Sequence, residues 1–152
     1  MDGSTPFHGL TPRFFDGVLE VPVYHMRGGT STGVLLHESH LPDDLALREE
    51  LIRHVMGVPQ EGQVGRNAQI TGLGRGIPQS CKVFIVGASV RDDADIQSTL
   101  AQLAPTKSEI DWSVNCGNMS AALPVFAAQV GLVSLLPGTN RIRIFNTNTG
   151  VV

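Results

Sequence analysis

Apolar and polar positions along the chain fall into runs whose periods separate strands from helices. Val18 to Tyr24 is apolar and β-branched, which predicts a strand. Gly33 to Leu36 predicts its hairpin partner, across a turn of small residues, Arg27-Gly28-Gly29-Thr30-Ser31-Thr32. Pro42 to Met56 has helical spacing: Leu47, Leu51, Ile52 and Val55 form one face, and Arg48, Glu49, Glu50 and Arg53 the other. Pro42 suits a first turn, Asp43 and Asp44 complement the positive end of the helix dipole, and Gly57 and Pro59 end it. The glycine-rich stretch 60–79 predicts a loop. Lys82 to Ala88 is a near-continuous apolar run, the signature of a buried strand.

Two segments are less direct. In Asp95 to Leu103, Ile96, Leu100 and Leu103 fit a helix, while Ile96, Ser98 and Leu100 fit one face of a strand. Asn118 to Val130 is apolar all round, which predicts a helix buried on every side and bent at Pro124. Arg141 to Phe145 alternates charge with Ile and predicts a half-exposed strand running into Asn146-Thr147-Asn148-Thr149-Gly150. Residues 1–17 show no period and read as a loose leader before a body over 18–152. The resulting plan is α+β, antiparallel strands wrapped on one buried helix.

Composition narrows the function classes. The 152 residues amount to one domain, and 16% charged residues with a net charge of −3 argue against disorder. No Lys/Arg run follows a phosphate backbone, so a nucleic-acid partner is not expected. Two cysteines, Cys81 and Cys116, suit a reducing compartment better than a disulfide scaffold. Met1 to Asp16 has no basic and apolar signal-peptide pattern, and Ser120, Pro124, Gln129, Gly131 and Ser134 interrupt the apolar stretch Met119–Leu136. A cytoplasmic protein without a membrane partner is the expectation.

The candidate chemistry is then weighed residue by residue. Gly28 to Gly33 has the glycines of a phosphate loop, but Val34 and Leu35 stand where Lys and Ser/Thr are needed, and a strand follows. Gly72-Leu-Gly-Arg-Gly76 lacks the helix of a dinucleotide turn. Small residues in the first turn still let a backbone approach a ligand closely, and Arg27 beside them is able to clamp a carboxylate. His37-x-x-His40 has metal-like spacing without a third ligand nearby, so no metal is expected. Asn115-Cys116-Gly117-Asn118 sets a thiol where the chain enters the apolar helix, and N–H groups at a helix start favour a thiolate. A buried structural thiol is the alternative. Lys82 opens a buried strand, either snorkelling at its edge or desolvated, and a desolvated lysine has the lowered pKa a proton-abstracting base needs. Strand alternation turns Cys81 away from Lys82, which leaves Cys116 as the site thiol.

In order along the chain, Met26-Arg-Gly-Gly-Thr-Ser-Thr-Gly33, Ser80-Cys-Lys-Val-Phe-Ile-Val86, Asn115-Cys-Gly-Asn118 and Asn146-Thr-Asn-Thr-Gly150 resemble the PrpF family. This family includes methylaconitate isomerases, 4-oxalomesaconate tautomerases and methylitaconate isomerases. The resemblance implies a diaminopimelate-epimerase-like fold of two lobes, each a curled, mostly antiparallel sheet around a central helix, with the active site between them. It favours a strand for Asp95 to Leu103 and makes the Asn118 to Val130 helix the central one. It also implies a cofactor-independent allylic proton shift in a small unsaturated di- or tricarboxylate. Lys82 and Cys116 stand at the family's acid/base positions. Arg27, Gly28, Gly29, Thr30, Ser31, Asn115, Gly117, Asn118 and Asn146 would bind the polycarboxylate.

The chain departs from the family pattern in three places. Thr32 replaces a lysine of the first motif, and Thr71-Gly-Leu-Gly-Arg75 replaces an Asp-Gly-x-Gly-Gly loop, which brings in a cation. Family members are also much longer than 152 residues, so a first lobe without its second is expected. The alternative to an isomerase is a truncated, non-catalytic lobe that binds or dimerises, with a homodimer or the missing lobe as partner.

Overall fold

A computed structural model describes residues 10–64 and 69–152. Most of the leader, residues 1–9, therefore lies outside the described residues. Its last part is ordered as a strand: β1 (Arg13–Phe15) pairs antiparallel with β2 (Val18–Glu20). Asp16 and Gly17, both with positive φ, form the two-residue turn whose twist suits a hairpin. The leader reading failed here because an Asp-Gly turn needs only two short arms.

The expected strand from Val18 to Tyr24 is interrupted. Val21-Pro22-Val23 breaks the ladder, since Pro22 has no N–H to donate, and β3 starts only at Tyr24 (Tyr24–Gly28). It forms a hairpin with β4 (Ser31–His37), pairing Gly28 with Ser31, so the turn is only Gly29-Thr30. Helix α1 (Leu45–Met56) begins three residues later than the sequence suggested, because Asp44 is its cap and its carboxylate accepts from Leu47 N at 2.9 Å. Gly57, left-handed, closes it.

After α1 come β5 (Lys82–Ala88), β6 (Ile96–Leu103) and β7 (Ile110–Asp111), then α2 (Gly117–Ser120), α3 (Leu123–Gln129) and β8 (Ile144–Asn146). The six-stranded sheet runs β3-β4-β5-β6-β7, with β8 also on β6. Most pairs are antiparallel, but β4–β5 and β6–β8 are parallel, and α1 provides the crossover that the first of these needs. The far edge of β6 is shared: β8 takes Ile96 to Ser98 and β7 takes Gln102 and Leu103. Asn148 fills the gap between them, accepting from Leu100 N at 2.7 Å and donating to Leu100 O at 2.9 Å, as a missing strand would.

Each face of the sheet buries its own cluster. On one side Val34, Leu36, Cys81, Val83, Ile85 and Leu103 pack with Ile52 and Met56 of α1. On the other Leu35, Phe84, Val86, Ile96 and Leu100 pack with Met119, Leu123, Phe126 and Ala127. Cover on both faces explains why β4 and β5 read as unbroken apolar runs. Among the described residues no helix is long and apolar enough to cross a membrane.

Two helical readings need correction. On α1, Leu47 is 55% exposed whereas Arg53 is buried, bonded to Glu49 at 2.7 Å and to Ser108 O at 2.8 Å. The ion pair and a carbonyl satisfy the guanidinium, so a charged residue takes the place that hydropathy gives to a leucine. Asn118 to Val130 is two short helices and not buried all round, with Val125 50% exposed. Ala121 and Ala122 keep αR backbone, but Pro124 has no N–H for the Ser120 carbonyl, and the ladder loses a rung there.

Candidate functional site

The tip of the β3–β4 hairpin lies against the start of α2. Gly28 makes this possible: a Cβ there would overlap Asn118 O and stand 2.7 Å from Met119 Cα. Gly29 takes the positive φ of the turn, +54°, with the Asn118 side chain over it. Asn118 Nδ2 donates to Thr30 Oγ1 at 2.9 Å, and the Cys116 thiol contacts Ser31 Oγ at 3.7 Å. The expected groups Gly28, Gly29, Thr30, Ser31, Cys116 and Asn118 are thus one constellation, although 85 residues separate Ser31 from Cys116. Asn115 and Gly117 flank the thiol and are exposed. Asn115 Oδ1 accepts from Cys116 N at 2.7 Å, and Ser120 donates from N and Oγ to Cys116 O, both at 3.1 Å. Backbone is pinned on either side of the sulfur, which itself stays half-buried.

Lys82 reaches the same face from β5. Its Cβ and Met119 Cε both come within 3.2 Å of where a Cβ on Gly33 would stand, so Gly33 leaves room for the lysine beside α2. The residue is only 7% exposed, and its Nζ donates to Pro78 O at 2.6 Å. Burial lowers the lysine pKa, and the negative charge that Cys116 and Cys81 can carry partly opposes this. Cys81, one residue earlier, belongs to the α1-side core and is 0% exposed. Gln69 Nε2 donates to its sulfur at 2.7 Å. Burial pushes the Cys81 thiol up, against smaller lowering effects from Gln69 and Lys82. The two cysteines therefore differ in kind, one enclosed in apolar packing and one beside a hydroxyl and a lysine.

Other expected groups are less closely joined. The pleat turns Arg27, with His25, toward the Val34 side of the hairpin, opposite Ser31 and Gly33. Its Nε donates to Gly29 O at 3.0 Å, which leaves the exposed guanidinium at the rim of the turn. Thr32, in the lysine position of the family motif, pairs with Arg27 on that same side. Arg75 acts on His25, whose pKa is lowered first by burial and then by the Arg75 charge. Asn146 is buried and closes its own turn, accepting from Thr149 N at 2.9 Å and Thr149 Oγ1 at 2.8 Å. It shares a concavity of about 480 Å³ with Asn115, Ser98 and Ser120, so it meets the site at its flank. The His37 and His40 rings are 5.2 Å apart, and among the described residues no group of three or more His, Cys, Asp or Glu could hold a metal ion.

Two glutamines went unnoticed in the sequence. Gln69 is buried with φ +65° and knots the glycine-rich loop, accepting from Gly76 N and donating to Cys81. Gln102 stands directly across from Lys82 on β6, and its Nε2 lies 3.1 Å from Pro78 O. Alternation on β6 could have put Gln102 on a face with Leu100, but only the strand register puts it opposite Lys82.

Comparison with known proteins places the chain among relatives of known sequence and structure. The chain is 37% identical to the 3-methylitaconate isomerase of Eubacterium barkeri over 132 residues, 87% of this chain and 33% of that protein. It is 37% identical over 136 residues to the 4-oxalomesaconate tautomerase of Pseudomonas putida strain KT2440, covering 90% of this chain and 36% of that one. The crystal structure of a methylitaconate-delta-isomerase superposes with a TM-score of 0.77 at 38% identity, over 86% of this chain and 32% of that chain. The chain thus spans about a third of the length of the curated relatives it matches. The family model described as PrpF protein matches residues 18–152, which takes in the hairpin turn, the lysine strand and the Asn-Cys-Gly-Asn segment together, and the chain belongs to that family.

Proposed function

We propose that this chain supplies the acid/base wall of an isomerase or tautomerase that moves a double bond in a small unsaturated di- or tricarboxylate without a cofactor. The observation that carries the reading is the convergence of buried Lys82 and half-buried Cys116 on one face of the sheet, beside a glycine turn. The names of the relatives, methylitaconate isomerase and 4-oxalomesaconate tautomerase, support this substrate class. In the proposed reaction a C–H acidified by conjugation to a carboxylate gives its proton to one of the two groups. The resulting dienolate takes a proton at another carbon from the other group. Lys82 suits this role because burial lets its amine be neutral at lower pH than an exposed lysine. The roles exchange with the direction of the reaction.

Substrate carboxylates, on this reading, accept from the Gly28, Gly29, Thr30 and Ser31 turn and from Asn115, Gly117 and Asn118. Arg27 adds a cation at the rim, and Asn146 borders the flanking concavity. Residues 18–152 act as a diaminopimelate-epimerase-like lobe with α2–α3 as its central helix, and a further lobe or a second copy closes the cleft. The second reading is a lobe that binds or dimerises without catalysis.

The test is solvent exchange. The protein is incubated in D2O with trans-aconitate, 4-oxalomesaconate or methylitaconate, and deuterium incorporation is followed by NMR. Exchange that is lost in Lys82→Met and Cys116→Ser is the expected result. No exchange with any of the three, from folded protein that forms a stable dimer, overturns the reading in favour of the second.

A further inference from the structure

Lys82 is bonded to a backbone oxygen rather than to a carboxylate, and that oxygen belongs to the 3₁₀ turn just before β5. Pro78 O receives Lys82 Nζ at 2.6 Å, Cys81 N at 3.3 Å and Gln102 Nε2 at 3.1 Å. The same Gln102 nitrogen lies 3.1 Å from Cys81 O and 3.0 Å from Leu103 O. One side chain therefore bridges both ends of the 3₁₀ turn Pro78–Ser80 and fastens it to β6. Pro78 itself is exposed, and the side chain across the sheet ties its carbonyl alongside the Cys81 N–H.

From this geometry we infer that Gln102 is a positioning residue for Lys82: by holding the Pro78 carbonyl against Nζ, it sets the proton affinity and direction of the lysine amine. The inference deepens the acid/base role proposed for Lys82 and rests on that role for its catalytic meaning. Among the described residues, Lys107 and Glu109 line the concavity beside Pro78 and Gln102, and three further titratable groups adjoin Lys82 or its partner. Cys116 approaches from the start of α2, Cys81 adjoins it on β5, and Asp111 is next to Gln102 across the sheet on β7. The Asp111 carboxylate is occupied by Ser113 N at 2.8 Å and Ser113 Oγ at 2.6 Å. A neutral carbonyl is therefore the direct partner of the lysine. A carbonyl stabilises the ammonium less than a carboxylate does, which keeps the amine accessible as a base.

The chain has only two lysines, Lys82 and the exposed Lys107, so lysine-labelled protein gives two side-chain NMR signals. Titration of these signals in the wild type, Gln102→Leu and Gln102→Glu tests the inference without substrate. Gln102→Leu frees the Pro78 carbonyl and is expected to lower the Lys82 midpoint by about one pH unit, the effect of losing a hydrogen bond to a charged group. Gln102→Glu, of the same shape, turns an oxygen in place of Nε2 toward the Pro78, Cys81 and Leu103 carbonyls, which repel it, so the tie is broken here too and the Lys82 midpoint is expected to move by about one unit. Lys107, on the rim of the concavity that Pro78 and Gln102 also line, is exposed and is expected to move less than Lys82 in both. A Lys82 midpoint unmoved in folded Gln102→Glu overturns the inference, whether or not Gln102→Leu folds.

The exchange assay separates the two ideas. Shifted midpoints in a protein with no exchange activity leave the positioning role standing and overturn the proposed function. With activity present, the pH profile of exchange is expected to follow the Lys82 midpoint in both variants, and a profile that ignores it overturns the link between them.

Discussion

The two faces of the sheet are built from the same strands and serve different ends. Beneath α1, Cys81, Val83 and Ile85 enter an apolar cluster with Ile52 and Met56, and the buried Arg53 of α1 is matched by Glu49 and a carbonyl. Toward α2, the alternate residues of β5 begin with Lys82, whose neighbours are a glycine, a thiol and a carbonyl oxygen. Phe84 and Val86 then continue the α3-side core. A single step along β5 separates a structural thiol from a titratable amine. The lesson is that period-2 alternation divides chemistry from packing without a change in hydropathy.

The sharpest way to break the comparison is to remove a group from each face. Lys82→Met and Cys116→Ser are expected to cut deuterium exchange by about 10²-fold or more, the usual contribution of a positioned acid or base. Cys81→Ala is expected to leave exchange in place and lower the melting temperature, because it vacates a buried site. If Cys81→Ala abolished exchange in folded protein, the division of the two faces would be wrong.

Thiol chemistry offers a second contrast. In native protein Cys116, half-buried, is expected to react with a small aromatic disulfide at least about 10²-fold faster than Cys81, which is enclosed and has its pKa raised. The two rates are expected to converge in denaturant. Equal native rates would show that the α1-side cluster opens readily.

Two glycines provide a third contrast in stability. Gly28→Ala is expected to cost about 3 kcal/mol, the upper range for overpacking, since its Cβ meets the backbone of Asn118 and Met119. Gly117→Ala, with nothing within 4 Å of its Cβ, is expected to change stability by no more than about 0.5 kcal/mol. Comparable melting temperatures for the two would contradict the close approach of the hairpin to α2.

The smallest effect is a pH slope. Burial lowers Lys82 in the folded state, so between its folded value and the ordinary lysine value near 10.5 the unfolded chain binds more protons. Stability contributed by this group therefore rises with pH across that window. Cys81 acts in the opposite sense. Its raised folded pKa means that stability is lost as pH climbs above the ordinary thiol value of 9.0. Lys82→Met is expected to remove the rise and keep the loss, as read from denaturant midpoints measured from pH 8 to 10.

Much of this arrangement was readable beforehand where local signals are strong. The apolar run of Lys82 to Ala88 is β5 without a residue of error, and Gly57 ends α1 as read. The Gly28 turn and the Asn115–Asn118 segment were singled out from residue type alone, and the fold brings them into contact. Less legible were places where a partner distant in sequence decides. Arg53 is buried because Ser108 O and Glu49 receive it, and Leu47 is left outside. Arg27 beside the glycines is turned by hairpin pairing to the Val34 side, and it reaches back to the rim of the turn only through its bond to Gly29 O. Gln102 carried no signal, because a glutamine in a strand reads as surface until its register is known.

Local sequence signals carried β4, β5, the end of α1, the turn chemistry and the family motifs, since these depend on steric and solvation preferences within a few residues. Long-range packing is what covers the sheet on both faces, sets Lys82 on a face with Cys116, and brings Gln102 and the Pro78 carbonyl to the lysine. Each of those follows from strand register and from contacts across many tens of residues. Free energy there is gained by packing surfaces together, and no local window of sequence records which surfaces meet.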